Sequence, residues 1–535
     1  MKHTFTFLLV LFSTIVFSQQ EDAWVYFTGK PNSQNFFDNP LQTLSQRALD
    51  RRINQNIALD ITDAPVETTY LDQVKSSTGI TVLAQSKWLN ALHIRGTQSN
   101  ITALKSFTFV DKIVFADRTL NSTAASKKVS ENTTSKTKNK LETTIDFAYG
   151  DSGNQIRMMN GQVLHQQNFT GSGKIIAVLD AGFPGVNTAQ PFQRLRDNNL
   201  ILGGYDFVNR SSNFYTGDNH GTLVLSTMGG YEENALVGTA PDASYYLFIT
   251  ENDASENPVE ESYWVEAAEQ ADAFGVDIIT SSLGYFEFDN PNYTHLYSDM
   301  NGVTNFISRG AEIAFSKGIL VLASAGNEGN TAEKHIGGPA DAASVITVGS
   351  VNSTRTRASS SSIGPSFDNR IKPDVMAQGV SDVVSNESGT ITTASGTSFS
   401  CPVMAGMTAC LWQAFPSKTN KEIRQMILQS ADRYSTPDNN YGYGIPNFGS
   451  TLGTETFFST PDFSVYPNPV QNDISFFFAN DTALVSIYSV LGQKLIEKQV
   501  TNQNPVLSVS DLTSGIYFYT FESEGVRKTG KIIKQ

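Results

Sequence analysis

The 535 residues carry a formal charge of −14, with 52 acidic side chains against 38 basic ones. That length is too great for one ordinary domain and predicts about three. The acidic balance argues against nucleic acid as a partner, because phosphate binding needs basic patches, and it suits solubility outside the cell.

Met1 to Ser18 places Lys2 and His3 before an apolar run from Phe5 to Phe17. This is the pattern of a signal peptide cut before Gln19, and it is too short to span a membrane. No later stretch approaches ~20 apolar residues, so no transmembrane span is expected. Residues 19–118 predict a compact α+β domain. Its candidates are a strand at Trp24–Phe27, a helix over Leu41–Asn54, then strand, helix and strand at Ala91–Gly96, Ile101–Lys105 and Val110–Ala116. Residues 119–144 are rich in Ser, Thr, Asn and Lys with few large apolar side chains. Such a stretch buries too little to order itself and reads as a linker.

Residues 145–454 alternate buried-strand and helix patterns. Strands are predicted at Ile175–Asp180, Ala243–Ile249, Val276–Ser281, Ile319–Ala323 and Val345–Val348. Helices are predicted at His220–Met228, Val259–Phe274, Val303–Ser316, Ser398–Trp412 and Asn420–Ser430. That alternation implies an α/β fold, a mostly parallel sheet covered by helices on both faces. Cys401 and Cys410 are the only cysteines. On one helix they lie ~13.5 Å apart on opposite faces, so they cannot pair. No Cys/His metal-ligand spacing occurs. From residue 455 the texture changes to short alternating strands at Phe463–Pro469, Ile474–Phe478, Ala483–Tyr488 and Ile516–Phe521, which predict a small all-β sandwich.

Four places in the middle region carry chemistry. The run Ile175 to Leu179 is a buried strand whose carboxyl tip presents Asp180, and functional groups of open α/β sheets gather at such tips. His220-Gly221-Thr222 opens an apolar helix pattern. A second buried strand ends in Ala325-Gly326-Asn327, whose amide can donate to an oxyanion. Gly396-Thr397-Ser398 delivers Ser398 to the start of a helix, where unpaired N–H groups and the positive dipole end suit a nucleophile that generates an oxyanion. Alone, a Gly-Thr-Ser before a helix is more often an ordinary N-cap, and a lone Asp, His or Asn more often a turn or core residue. Their joint occurrence in this order decides otherwise.

Ala177-Val178-Leu179-Asp180-Ala181-Gly182, His220-Gly221-Thr222 and Gly396-Thr397-Ser398 with Pro402 together resemble the subtilisin-like serine protease family (subtilases), over about residues 145 to 452. The resemblance implies a secreted serine endopeptidase. Ser398 would be its nucleophile, His220 its general base and acid, and Asp180 the group orienting the imidazole; Asn327 and the Ser398 N–H would form the oxyanion hole. It also implies that Ser282, Leu283 and Gly284 pair with an extended protein or peptide substrate, with Ala325, Gly326 and Gly337 completing the S1 pocket. Large apolar P1 residues are expected there, and Glu328 at the rim adds tolerance for Lys or Arg. No cofactor is required for this chemistry. Calcium stabilises many such enzymes, but no diagnostic loop is recognisable and no metal is assigned.

Two departures from the family pattern stand out. Phe399-Ser400 replaces the Met-Ala common after the serine, and Ala181-Gly182-Phe183 follows Asp180 where Thr or Ser and then Gly is frequent. Neither removes a catalytic group. An α/β-hydrolase is excluded because Ser400 fills the final glycine position of Gly-x-Ser-x-Gly. The acid-active serine-carboxyl peptidases are excluded because His220 and Asn327 stand where those use Glu and Asp. A catalytically silent binding protein is the competing function class. Residues 19–118 resemble a subtilase propeptide, which assists folding and inhibits until removed at a maturation site within or beside 119–144. Residues 455–535 resemble the C-terminal sorting domain of type IX secretion, through Tyr466-Pro467-Asn468-Pro469, Ser489-Val490-Leu491-Gly492-Gln493 and the basic end Arg527 to Lys534. The expected partners are protein substrates, the chain's own propeptide and the type IX machinery. The expected location is outside the cell, free or surface-attached, after export through the periplasm.

Overall fold

The computed structural model describes residues 19–121, 147–452, 463–466, 469–478, 482–501, 505–523 and 526–535. The expected signal peptide and nearly all of the expected linker lie outside the described residues. So do Pro467 and Asn468.

The N-terminal domain is built on β1 (Gln20–Phe27), which is buried on both faces. It pairs antiparallel with β3 (Ala91–Thr97) and β4 (Val110–Phe115), and β2 (Ile80–Ser86) completes the order β2-β3-β1-β4. Alternation along β1 serves two cores. Ala23, Val25 and Phe27 pack inside the domain with Leu92, Ile94 and Ile101, the last on α3 (Gln98–Ala103). Trp24 and Tyr26 point the other way, into the core of the following domain. There Trp24 stacks on Phe306 at 5.4 Å between ring centroids and donates from Nε1 to Ser262 Oγ at 2.9 Å. The predicted helix over Leu41–Asn54 begins only at Gln46, giving α1 (Gln46–Asn54), because Ser45 caps it by accepting from the Ala48 N–H. Pro40–Gln42 before it is a separate 3₁₀ turn. Strand β2 and α2 (Thr68–Lys75) were not predicted: both are half-exposed with weak apolar periodicity, and tertiary packing defines them.

The central domain holds seven parallel strands. Five are β5 (Ile175–Asp180), β7 (Ser244–Ile249), β8 (Ile278–Ser281), β9 (Leu320–Ser324) and β10 (Ile346–Val351), all foreseen within a few residues. The others, β6 (Ile201–Asp206) and β11 (Val375–Gln378), escaped because Gly203-Gly204 interrupts one apolar run and the other is four residues long. The order is β11-β10-β9-β8-β5-β7-β6. One face carries Ala177, Leu179, Ile279 and Val321, packed on α5 (Val259–Phe274) and α6 (Phe306–Ser316) through Trp264, Val265, Ala268 and Ala311. α4 (His220–Gly229) packs on α7 (Thr397–Ala414), which is apolar on all sides and buried along nearly its whole length. α7 lies against β8, β9 and β10. α8 (Asn420–Ser430) starts from a capping box between Thr419 and Glu422.

A second compact unit, from Ser450 to Gln535, contains two antiparallel sheets among its described residues. Ile474 and Phe476 of one share a core with Val485, Ile487, Tyr519 and Phe521 of the other, forming a sandwich. The basic end is itself a strand, Val526–Lys534, paired along its length with Gly515–Ser523. Ile532 on that strand is fully buried.

Gly406 shows how closely α7 is packed, since a Cβ there would meet Thr239 Oγ1 at 2.0 Å and Thr239 Cβ at 2.9 Å. Gly406→Ala is therefore expected to destabilise the protein by about 1–3 kcal/mol, the usual cost of overpacking a core, measured by denaturant unfolding.

Candidate active site

Asp180 is the last residue of β5 and has no exposed surface. Its Oδ1 accepts from the Ala181 N–H at 2.8 Å and lies 2.7 Å from His220 Nδ1. A carboxylate on Nδ1 fixes the proton there and leaves Nε2 as the acceptor of the neutral ring. Asp180 Oδ2 is buried and has no hydrogen-bond partner. The charge of Asp180 raises the His220 pKa above the ordinary histidine value, with smaller contributions from Asp218 and Asp253.

The His-Gly-Thr sequence has a physical reason. His220 opens α4, and its N–H donates to Asp218 Oδ1 at 2.8 Å. A Cβ on Gly221 would sit 2.4 Å from Gly182 O and 3.0 Å from Asp180 Cβ, so glycine lets the helix end touch the strand tip. Thr222 Oγ1 then donates to Pro184 O at 2.7 Å.

The Gly-Thr-Ser-x-x-x-Pro segment is likewise explained by its contacts. Gly396, at φ +151°, donates its N–H to Gly379 O at 2.8 Å. Thr397, which sequence reasoning passed over, donates from N (3.0 Å) and Oγ1 (3.2 Å) to Asn327 Oδ1, while its Oγ1 accepts from the Gly326 N–H at 3.2 Å. Asn327 Oδ1 is thus occupied, and its NH₂ is the end left for another acceptor. A Cβ on Gly396 would lie 3.7 Å from both Asn327 Nδ2 and Ser398 N, so those two donors border one space. Pro402, four residues after Ser398, has no N–H to give the Ser398 carbonyl. Ser282 Oγ takes that place, donating to Ser398 O at 2.8 Å. Ser398 Oγ in turn donates to Ser282 O at 3.4 Å rather than to His220. Phe399 packs its ring 6.0 Å from the His220 ring, which joins the two helices at this point.

The candidate substrate residues converge on the same place. Gly284 is exposed, and a Cβ on it would meet nothing within 4 Å. Leu283 is half-buried against the central core. Tyr285 exchanges backbone hydrogen bonds with Gly338, which brings Gly337 alongside. Gly326 takes φ +100° and accepts from the Ser362 N–H. Ala325 is fully buried in the core, so its side chain faces away from any ligand. The Ser282 hydroxyl is committed to Ser398, which leaves its backbone for other contacts. Glu328 accepts from Ser362 Oγ at 3.0 Å, and its Oε2 would stand 2.7 Å from a Cβ on Gly326.

Behind this edge Tyr285 Oη donates to Glu251 Oε2 at 2.6 Å. Glu251, Glu256 and Glu260 bring carboxylate oxygens within 4.8 Å of one another. Burial pushes Glu260 up to about 8 and raises Glu251 well above the carboxylate range. Both Glu260 oxygens already accept from backbone N–H groups, of Asn252 and Asn257. Calcium takes about six to eight oxygens, and no metal is assigned to this trio. Cys401 is buried and its thiol is pushed up to about 12, which rules it out as a nucleophile.

Residues 171–444 match the Subtilase family model. Residues 22–135 match the Peptidase S8 propeptide domain of Bacteroidota, and residues 464–535 the secretion system C-terminal sorting domain. The chain belongs to the subtilase family, whose members are serine endopeptidases that need no cofactor for catalysis. It is 32% identical over 295 residues to subtilisin NAT of Bacillus subtilis subsp. natto, covering 55% of this chain and 69% of that protein. It is 28% identical over 337 residues to serine protease AprX of Bacillus subtilis (strain 168), covering 57% and 71%. The solved structure of the MycP3 protease from the type VII (ESX-3) secretion system aligns at TM-score 0.47 and 18% identity, over 59% of this chain and 92% of that one. The sorting domain marks the protein for export to the cell surface or beyond. No helix among the described residues is long and apolar enough to cross a membrane.

Proton NMR titration of the Ser398→Ala chain is expected to place the His220 pKa above about 6.5, and Asp180→Asn to lower it, because the neighbouring charge is the main cause of the shift.

Proposed function

We propose that the protein digests other proteins through an acyl-enzyme formed on Ser398. The observation that carries this reading is the 2.7 Å contact of His220 Nδ1 with fully buried Asp180, at the strand tip beside the first turn of α7, which holds Ser398. Ser398 Oγ attacks the scissile carbonyl carbon, and its proton passes to His220 Nε2. Asp180 stabilises the resulting imidazolium without taking the proton. Asn327 Nδ2 and the Ser398 N–H donate to the oxyanion. The imidazolium then protonates the leaving amine, and water, deprotonated by the same ring, releases the acid and restores the serine. The Ser398 Oγ bond to Ser282 O must turn toward His220 for the attack, and such bonds often tighten only around substrate.

The cleft edge at residues 282–284 pairs with the substrate backbone, and the space by Gly326 and Gly337 takes a large apolar P1 side chain. Glu328, held over Gly326, adds acceptance of Lys and Arg. The reaction needs the neutral imidazole, so activity rises with pH through the raised His220 pKa and is greatest at neutral to alkaline pH. Residues 19–118 act as the inhibitory propeptide and leave after cleavage within or beside 119–144. Residues 455–535 route the protein, after signal-peptide removal, through the periplasm to type IX export.

The matured protein is expected to react with a fluorophosphonate at Ser398 and to digest casein, with both lost in Ser398→Ala. Fully processed protein that takes no label would defeat the reading. Asn327→Ala is expected to lower kcat by about 10²–10³ with little change in KM, measured on a chromogenic peptide, because it removes an oxyanion donor and no ground-state contact.

A further inference from the structure

Besides the ties of Glu21, Asp117 and Arg118 to the loop at residues 292–299, two sets of contacts hold the N-terminal domain on the central domain. One is the sheet face on α5 and α6. The other lies at the amino ends of β5, β8 and β9, roughly 20 Å along the strands from Asp180. Here α1 threads side chains into the C-terminal ends of α5 and α6. Arg51 donates to Val276 O at 2.5 Å and Lys317 O at 3.2 Å. Arg47 donates to Gly275 O at 2.9 Å and Gly173 O at 3.0 Å. Gln55 donates to Gly318 O at 2.9 Å and accepts from the Asn420 N–H at 3.0 Å. Helix C-termini present unpaired carbonyls and partial negative charge, for which guanidinium groups are matching ligands.

A buried chain of alternating charges runs through the same place. Arg51 and Arg52 both pair with Asp272. Arg52 also reaches Asp63 at 2.7 Å, and Lys317 reaches Asp63 and Asp60 at 3.0 Å each. Asp272 and Asp63 are fully buried and Lys317 is 1% exposed. Among the described residues, every ion-pair partner of Asp272 and Lys317 belongs to the N-terminal domain. When that domain departs, a carboxylate and an ammonium that it had sealed from water lose their counter-charges together.

We propose that this place is a second docking surface, a latch remote from the catalytic groups that sets how long the N-terminal domain stays bound once the chain between the domains is cut. It rests on reading that domain as a removable propeptide. The surface fits one kind of partner: a helix bearing adjacent arginines, followed eleven residues later by a carboxylate that answers Lys317. A basic helix without that carboxylate satisfies Asp272 and leaves Lys317 buried and unpaired.

The test places a site-specific protease sequence between Asn121 and Phe147 of the full chain carrying Ser398→Ala, so that cutting does not depend on the chain's own activity. Dissociation of the N-terminal fragment is then followed by size-exclusion chromatography. The parent fragment is expected to stay bound. Arg47→Ala with Gln55→Ala is expected to speed its release at least about tenfold and Arg51→Ala with Arg52→Ala at least about a hundredfold, since truncating one side of a buried polar contact acts on the off-rate. Lys105→Ala, exposed and outside the latch, leaves the rate unchanged. A parent fragment that leaves at once, or latch variants that leave at the parental rate, overturns the proposal. If the double arginine variant does not fold, the Arg47 and Gln55 pair decides. Fluorophosphonate labelling of the Ser398-bearing chain, freed of its N-terminal fragment, runs alongside: failure to label sinks the peptidase reading, while the release rates still judge the latch.

Discussion

The buried charge of Asp180 is the constraint on which the rest is built. A carboxylate at the tip of a central parallel strand has no water around it, and an uncompensated charge in that position would be costly. His220 and the Ala181 N–H compensate it, and the first of these requires that α4 come down onto the strand end. The close approach at Gly221, the tie from Thr222 to Pro184 and the ring of Phe399 against His220 are consequences of that demand. The site is therefore a means of keeping one charge inside the fold as much as a set of reactive groups.

The same logic of supplying a missing partner recurs on α7. A proline within its first turns leaves the Ser398 carbonyl without a helical donor, and the Ser282 hydroxyl fills the gap. Thr397 meanwhile holds the Asn327 amide by its oxygen. Two hydroxyl groups that take no part in bond-making thus set the attitude of the serine and of the asparagine. An error at either one would be felt at the reacting atoms through geometry alone.

Much of this was legible in the residues. The strands β5, β8 and β9 announce themselves as continuous apolar runs because both of their faces are covered, and α5 and α8 match their predicted limits. Asp180, His220, Asn327 and Ser398 could be picked out because each stands where a run of regular pattern begins or ends. The parts that could not be read are those set by distant partners. Nothing local marks Thr397 as the holder of Asn327, or Ser282 as a donor to α7. Ala325, taken for a pocket wall, turns its methyl group into the core, because strand alternation continues one residue past β9. Strand β2 and the interruption before α1 likewise depend on packing and a cap. Asp218 was readable in principle, as an Asp two residues ahead of a helix start.

Phe399 carries one more consequence. Where relatives often place a methionine after the serine, this chain sets an aromatic ring beside the imidazole. A thioether at that point is open to conversion to a polar sulfoxide, which would intrude on the space next to Ser398. A phenyl ring offers peroxide no such atom. The two thiols on the same helix are buried and held protonated, so they too offer little to attack. The substitution that first looks like a departure from the family thus leaves the position beside Ser398 without sulfur for an oxidant to reach.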